Sequence, residues 1–222
     1  MSGFRTVKPM LWQSLSLPWQ EAVSLAWEAY CAGSLPIGAV IVDDRNGRVV
    51  ATGRNALFEA KSDSPLHGSR LAHAEMNALF ALYKTDVPPN RCTLYTTLEP
   101  CPMCMGAIRT GRIGNVHFAS YDPFAGCSLL IDTPPYQAFG PLLVHPPQND
   151  NLAELLLVIK VEAMLRTGKG GWVTFVETAV PQSEPAINLG KKLFASGELW
   201  QLGRQGHSVK EIMIWLQDRL DI

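Results

Sequence analysis

Apolar residues recur at helical spacing from Pro18 to Tyr30, with Trp19, Ala22, Val23, Ala26, Trp27 and Tyr30 marking one face. A proline in the first turn and Gly33 just past the last bracket this run as a first helix. The period then changes. Ile37 to Val42 is short and rich in β-branched residues, Asp44-Arg-Asn-Gly47 has turn chemistry, and Arg48 to Thr52 resumes as a strand, which predicts an antiparallel hairpin. Residues 56–71 are mostly polar and irregular. Beyond them a helix is predicted over Ala74 to Tyr83, with Met76, Leu79, Phe80 and Tyr83 inward, then a strand over Cys92 to Thr97. A second helix opens at Cys101 and stops at Gly111, and Ile113 to Ala119 alternates as a strand. Leu142 to His145 reads as a fifth strand and Leu152 to Leu165 as a covering helix. Helices alternating with strands in this order predict a three-layer α/β/α arrangement with a mixed sheet.

The character changes after Thr167. Gly168-Lys-Gly-Gly171 reads as a hinge, Trp172 to Glu177 as an edge strand, and Pro181 to Pro185 as a loop. Two short helices are expected to follow. The last begins at Ser208 with Glu211 three residues on, a capping box, and sets Val209, Ile212, Met213, Leu216 and Leu220 on one face to dock on the main domain or on another subunit. The expected division is a main domain over 1–167 and a small C-terminal extension over 168–222, made of a strand plus short helices.

The chain has 222 residues, 47% hydrophobic and 18% charged, with a formal net charge of −1. That is the composition of a globular protein, without the basic footprint of an enzyme that grips nucleic acid through many phosphates. A local patch of Arg91, Arg109 and Arg112 would not show in the total; the plainer reading of these residues is a solvated face or a subunit contact. Arg5, Lys8, Pro9, Gln13 and Pro18 interrupt Met1 to Trp19, so no apolar core for a signal peptide is expected there, and no run is long and apolar enough for a bilayer. Cytoplasmic residence is the expectation. Five cysteines, two of them in C-x-x-C, suit metal binding in a reduced compartment; Cys31, Cys92 and Cys127 read as small buried side chains.

The chemistry lies in His73-Ala-Glu75 and Pro100-Cys101-Pro-Met-Cys104. A structural zinc site takes four protein ligands, whereas a hydrolytic one takes three and leaves a position for water. His73, Cys101 and Cys104 make three. Glu75 is close enough in sequence to sit beside the metal and handle protons without ligating it. Cys101 and Cys104 are i and i+3, neighbours on a helix face, and a helix N-terminus helps hold thiolates deprotonated.

Four segments carry a family resemblance: Pro36-Ile-Gly-Ala-Val, Gly53-Arg-Asn55, His73-Ala-Glu75-Met-Asn-Ala and Thr97-Leu-Glu-Pro-Cys-Pro-Met-Cys-Met-Gly-Ala-Ile. Together they resemble the zinc-dependent cytidine and deoxycytidylate deaminase superfamily. Arg112-Ile-Gly-Asn-Val-His-Phe and Ala125-Gly-Cys-Ser are similar to its branch of tRNA adenosine deaminases and guanine deaminases. Over about Pro18 to Leu165 the resemblance implies a five-stranded sheet between helices and Zn2+ held by His73, Cys101 and Cys104. It also implies Glu75 as proton shuttle, Asn55 as a hydrogen-bond partner of the base, and a homodimer. The implied reaction is hydrolytic deamination of a nucleobase or nucleoside. A tRNA adenosine (A-to-I) deaminase is the alternative. Two departures favour the small substrate. Ser64 to Ala72 is longer than the matching stretch of the tRNA enzymes and carries an extra His67, and Leu152 to Thr167 offers only Lys160 and Arg166 where their C-terminal helix is strongly basic.

Other readings stand beside this one. His73 could be a satisfied core histidine. Cys101 and Cys104 could belong to a structural zinc knuckle completed by Cys92, Cys127 or His67, or form a redox dithiol. Asn55 could serve only local turn chemistry. The whole chain could be a zinc-stabilised binding protein that performs no chemistry, in which case Glu75 would be dispensable.

Overall fold

In the computed structural model, which describes residues 11–222, five strands form one sheet in the order β2-β1-β3-β4-β5. The strands are β1 (Gly38–Asp43), β2 (Arg48–Arg54), β3 (Cys92–Thr96), β4 (Asn115–Phe118) and β5 (Leu143–His145). β1 runs antiparallel to β2 and to β3, while β3, β4 and β5 are parallel, so the sheet is mixed as the alternating pattern implies. Helices α1 (Leu11–Ser14), α2 (Leu17–Cys31), α3 (Ala74–Leu82), α4 (Pro102–Thr110), α5 (Pro134–Gln137) and α6 (Asp150–Arg166) surround it. Residues 1–10, part of the stretch weighed as a leader, lie outside the described residues. No helix among the described residues is long and apolar enough to cross a membrane.

β1 is buried along its whole length, and its side chains still alternate between two faces. Val40 and Val42 pack with Ala22 of α2, whereas Ala39 and Ile41 pack with Ala74 and Ala78 of α3 and Met105 and Ile108 of α4. Two glycines bring the hairpin close to both layers. A Cβ on Gly38 would stand 2.1 Å from the Ala22 carbonyl oxygen, and one on Gly53 would stand 2.3 Å from that of Ala74. These contacts set α3, with His73 before it, directly against the hairpin.

The inward face of α3 differs from the one the apolar spacing predicts. Phe80 and Tyr83 are 42% and 59% exposed, while Ala78, Leu79 and Leu82 are buried together with the polar Glu75 and Asn77. Close approach to Gly53 selects small side chains for the buried face, so the large aromatics turn outward.

The segment from Trp172 to Glu177 is not an edge strand. It lies within α7 (Gly170–Ala179). Its β-favouring composition is overridden by packing, because Trp172, Val173 and Val176 share a helical face that buries against Val161 and Met164 of α6. Three further helices follow where two were expected: α8 (Glu184–Ser196), α9 (Glu198–Arg204) and α10 (Val209–Leu220). The capping box of α10 is formed, with Ser208 and Glu211 bonding reciprocally. Val209, Ile212, Met213 and Leu216 enter one core with Val23 and Trp27 of α2 and Leu155 and Val158 of α6. The Arg166 guanidinium lies over the rings of Tyr30 and Trp200, 4.9 and 4.1 Å from their centroids. Residues 168–222 are thus helical and share their apolar core with α2 and α6.

Candidate metal centre and its cavity

His73 and Cys101 each occupy the residue before a helix, with extended backbone, at the starts of α3 and α4; Cys104 follows in the first turn of α4. Pro100 favours the extended entry and Pro102 suits the first helical position, where no N–H is needed. The parallel β3 and β4 deliver α4 beside α3, and the three donors meet. His73 Nδ1 is 3.6 Å from Cys101 Sγ and 3.5 Å from Cys104 Sγ, and all three ligand atoms lie within 4.8 Å of one another. Edges near 3.6 Å are what zinc bonds of about 2.3 Å to sulfur and 2.0–2.1 Å to nitrogen generate at a tetrahedral angle. The donor set therefore fits zinc, and neither Cys92, Cys127 nor His67 belongs to the cluster. His67 Nδ1 is 2.6 Å from the Ser64 carbonyl oxygen, within its own loop.

The two thiols perturb each other. The Cys101 thiol is pulled down to about 4, first by its hydrogen bond with Cys104 and also by His73. Cys104 is pushed up by that same bond and by its burial. Sulfurs this close lose both protons only when a cation offsets their charge. Glu75, in the first turn of α3 and 4% exposed, lies within hydrogen-bonding reach of Cys104. Burial raises its pKa, with the charge on Cys101 adding to the effect.

Asn55 is fully buried at the end of β2. Its Oδ1 accepts bonds from Ser34 Oγ at 2.7 Å and the Leu57 N–H at 3.1 Å, whereas its Nδ2 has no partner among the described residues. The backbone donor of Leu57 fixes which end of the amide is oxygen. Turn chemistry and a free donor thus coexist in one side chain.

A cavity of about 610 Å3 opens at the centre and is lined by Asn55, His73, Glu99, Cys101, Lys160 and Trp172 among others. Gly168, Lys169, Gly171 and Trp172 bring the end of the α6 turn and the start of α7 into its wall. A neighbouring cavity of about 410 Å3 shares Ile37, Leu98, Lys160 and Trp172 with it. Glu99, Asp122 and Lys160 have no role in the reading of the sequence. Glu99 Oε1 accepts from Ser128 N–H at 2.9 Å and Ser128 Oγ at 2.6 Å, and Oε2 accepts from the Asp122 N–H at 3.2 Å, so it fastens the 122–128 loop beside Cys101. Its place in the motif, two residues before Cys101, was the available signal. The arginine patch does not form: Arg91 pairs with Asp43, and Arg109 is buried and donates to the Tyr136 carbonyl.

A mixed sheet flanked by helices, with two helix starts converging three metal donors, defines a cytidine-deaminase-like zinc-binding domain. The family model of the cytidine and deoxycytidylate deaminase zinc-binding region matches residues 14–120, just under half of the chain. The chain is 38% identical over 109 residues to a tRNA-specific adenosine deaminase of Bacillus subtilis, covering 49% of this chain and 63% of that one. It is 40% identical over 108 residues to a guanine deaminase of the same organism, covering 46% and 61%. A match of 31% identity over 205 residues, 84% of this chain, is to a tRNA(Ile)-lysidine synthase of Deinococcus radiodurans, of which it spans 33%. The chain therefore spans less than two thirds of the length of these relatives. Among solved structures, a variant of the NE0047 protein in complex with 8-azaguanine superposes with a TM-score of 0.52 at 21% identity, over 67% of this chain and 85% of that one, a likeness of fold.

Proposed function

We propose that this chain is a zinc-dependent hydrolase that deaminates a nucleobase or nucleoside, exchanging a ring C–NH2 for C=O with release of ammonia. The observation that carries the proposal is Glu75: a buried carboxyl beside a three-donor cluster, with no cation paired to it among the described residues. A purely structural zinc site has no use for such a group. The relatives point the same way, since the similar B. subtilis proteins are named as deaminases of guanine and of tRNA adenosine.

His73, Cys101 and Cys104 hold the metal in this reading. Zinc in such a donor set supplies Lewis acidity, which makes water a nucleophile near neutral pH. Glu75 would take one proton of the attacking water and pass it to the ring nitrogen, then take the remaining proton from the hydroxyl now on the ring carbon and pass it to the departing amine as the C–N bond breaks and C=O forms. Its raised pKa suits a group that must both accept and release protons. Asn55 Nδ2 donates to the ring and fixes its orientation, and the apolar walls of Ile37, Leu98 and Trp172 exclude bulk water. The homodimer implied by the resemblance belongs to this reading.

A tRNA substrate is the second reading, favoured by the names of two of the relatives. Against it stands the wall that Gly168, Lys169, Gly171 and Trp172 give the cavity on the side of the extension. The deciding experiment measures ammonia release by the wild type and Glu75→Gln across cytosine, cytidine, adenine, adenosine, guanine, guanosine and an anticodon stem-loop RNA. Release from a free base or nucleoside that disappears in the variant is expected. Release only from the RNA would select the second reading, and identical traces for both proteins on every substrate would leave a zinc-stabilised binding protein.

A further inference from the structure

Lys160 projects from α6 into the wall shared by the two cavities and is 7% exposed. An ammonium has three N–H donors and no acceptor. Lys160 Nζ has one carboxylate contact, Asp122 Oδ2 at 3.3 Å, and stands 4.3 Å from the centroid of the Trp172 ring. That occupies one donor and faces another toward a π system, and no other acceptor for it is found among the described residues. A buried cation is costly unless its donors are answered. Asp122 is itself anchored: its Oδ1 accepts the N–H groups of Phe124 at 3.1 Å and Ala125 at 3.4 Å, and its own N–H donates to Glu99. The loop that lies beside Cys101 thus holds Lys160 in place, with a donor left for whatever fills the cavity.

We propose that Lys160 is a specificity-determining residue of this site, donating a hydrogen bond to an oxo group on the substrate ring; the inference rests on the deaminase reading above. The Lys160–Asp122 pair is neutral as a unit, so it suits a neutral carbonyl oxygen better than a phosphate or carboxylate, whose charge would have no second buried cation to meet it. Asn55 Nδ2, without a partner among the described residues, and the N–H of Lys160 that neither Asp122 nor the Trp172 ring takes give the cavity two donors for a ligand. The substrate class is an amino-substituted heterocycle that also carries a ring oxo group, as guanine and cytosine do and adenine does not. A site built to bond an oxygen discriminates against an analogue lacking it, because its buried donor is then left unpaired. If Lys160 merely fastened the 122–128 loop to α6, its loss would affect all substrates alike.

The test uses the zinc-loaded full chain as wild type, Lys160→Met and Lys160→Arg. kcat and KM are measured on guanine, cytosine and adenine, and hypoxanthine and purine binding by calorimetry. The wild type is expected to prefer an oxo-bearing base. In Lys160→Met, kcat/KM for that base falls roughly 10- to 100-fold, the range for a hydrogen bond to a charged group, mainly through KM. Its preference over adenine collapses, and Lys160→Arg recovers part of it. Hypoxanthine, which has the ring oxo group, binds the wild type more tightly than purine, and the gap closes in Lys160→Met. A preference that survives in Lys160→Met, or a wild type that favours adenine, overturns the proposal. If Lys160→Met does not fold, equal wild-type affinity for hypoxanthine and purine overturns it. Should the wild type and Glu75→Gln release no ammonia from any base, the deaminase reading fails by itself, while the hypoxanthine and purine contrast still decides the contact to Lys160.

Discussion

At the scale of single residues, the proposed reading separates groups that hold the metal from groups that act on the substrate. His73, Cys101 and Cys104 converge their donor atoms, and Glu75 stays off the cluster with its carboxyl buried. Replacing that carboxyl by an amide keeps shape and burial and removes only the proton transfer proposed for it. Glu75→Gln should therefore retain zinc, measured by metal analysis, and lose about 10²- to 10⁴-fold in kcat, the usual contribution of a positioned acid-base group. Asn55 allows an equally narrow test. Asn55→Asp keeps an oxygen for Ser34 and Leu57 and replaces the free N–H donor with an acceptor. We expect kcat/KM to drop about 10-fold or more with the Leu57 turn intact by NMR. Unchanged kinetics would reduce Asn55 to a loop fastener. The metal set and Glu75 were legible in the sequence because short spacings on helix starts carry them. Asp122 and Lys160 were not, since they meet only when α6 and the 122–128 loop pack together.

At the scale of elements, the periodicities located most helices and strands within a few residues, and they failed where packing outweighs propensity. Trp172 to Glu177 has strand-like composition and forms part of α7, because its apolar residues find α6 at helical spacing. The face of α3 rotated for a related reason: the backbone of β2 approaches it at Gly53 more closely than a large side chain permits. That contact is measurable. In Gly53→Ala the new Cβ would lie 2.3 Å from both the Ala74 oxygen and the Ala78 nitrogen, backbone atoms that cannot swing aside. Destabilisation of about 1–3 kcal/mol or more is expected by denaturant titration, the range of core overpacking. Because α3 begins at His73, zinc affinity should fall with it; a variant as stable as the wild type would mean the hairpin does not set the position of α3.

At the scale of the whole molecule, the sheet edge contains a titratable stack. His117 lies parallel to His145 with centroids 4.0 Å apart and to Tyr95 at 4.8 Å. Burial pushes the His117 imidazole down to about 4, with His145 adding to the effect and Asp44 opposing it. The folded protein thus binds fewer protons than the unfolded chain below the ordinary imidazole value of 6.5. Stability from this position is intact above 6.5 and is lost progressively as pH falls toward about 4. His117→Phe keeps the stack and removes the titration, so its melting temperature should decline less than that of the wild type between pH 7 and pH 5. Equal declines would place the acid sensitivity elsewhere. By itself the sequence determined the three convergent donors, the carboxyl placed beside them, the alternation of helices and strands and the α10 capping box, all written in spacings of a few residues that local geometry reads directly. The tertiary structure alone decided that residues 168–222 share their core with α2 and α6, that α7 walls the cavity, and that Lys160 faces it. Those contacts join positions far apart in the chain, and they are fixed by which surfaces bury one another, a property of the packed molecule that no local pattern carries.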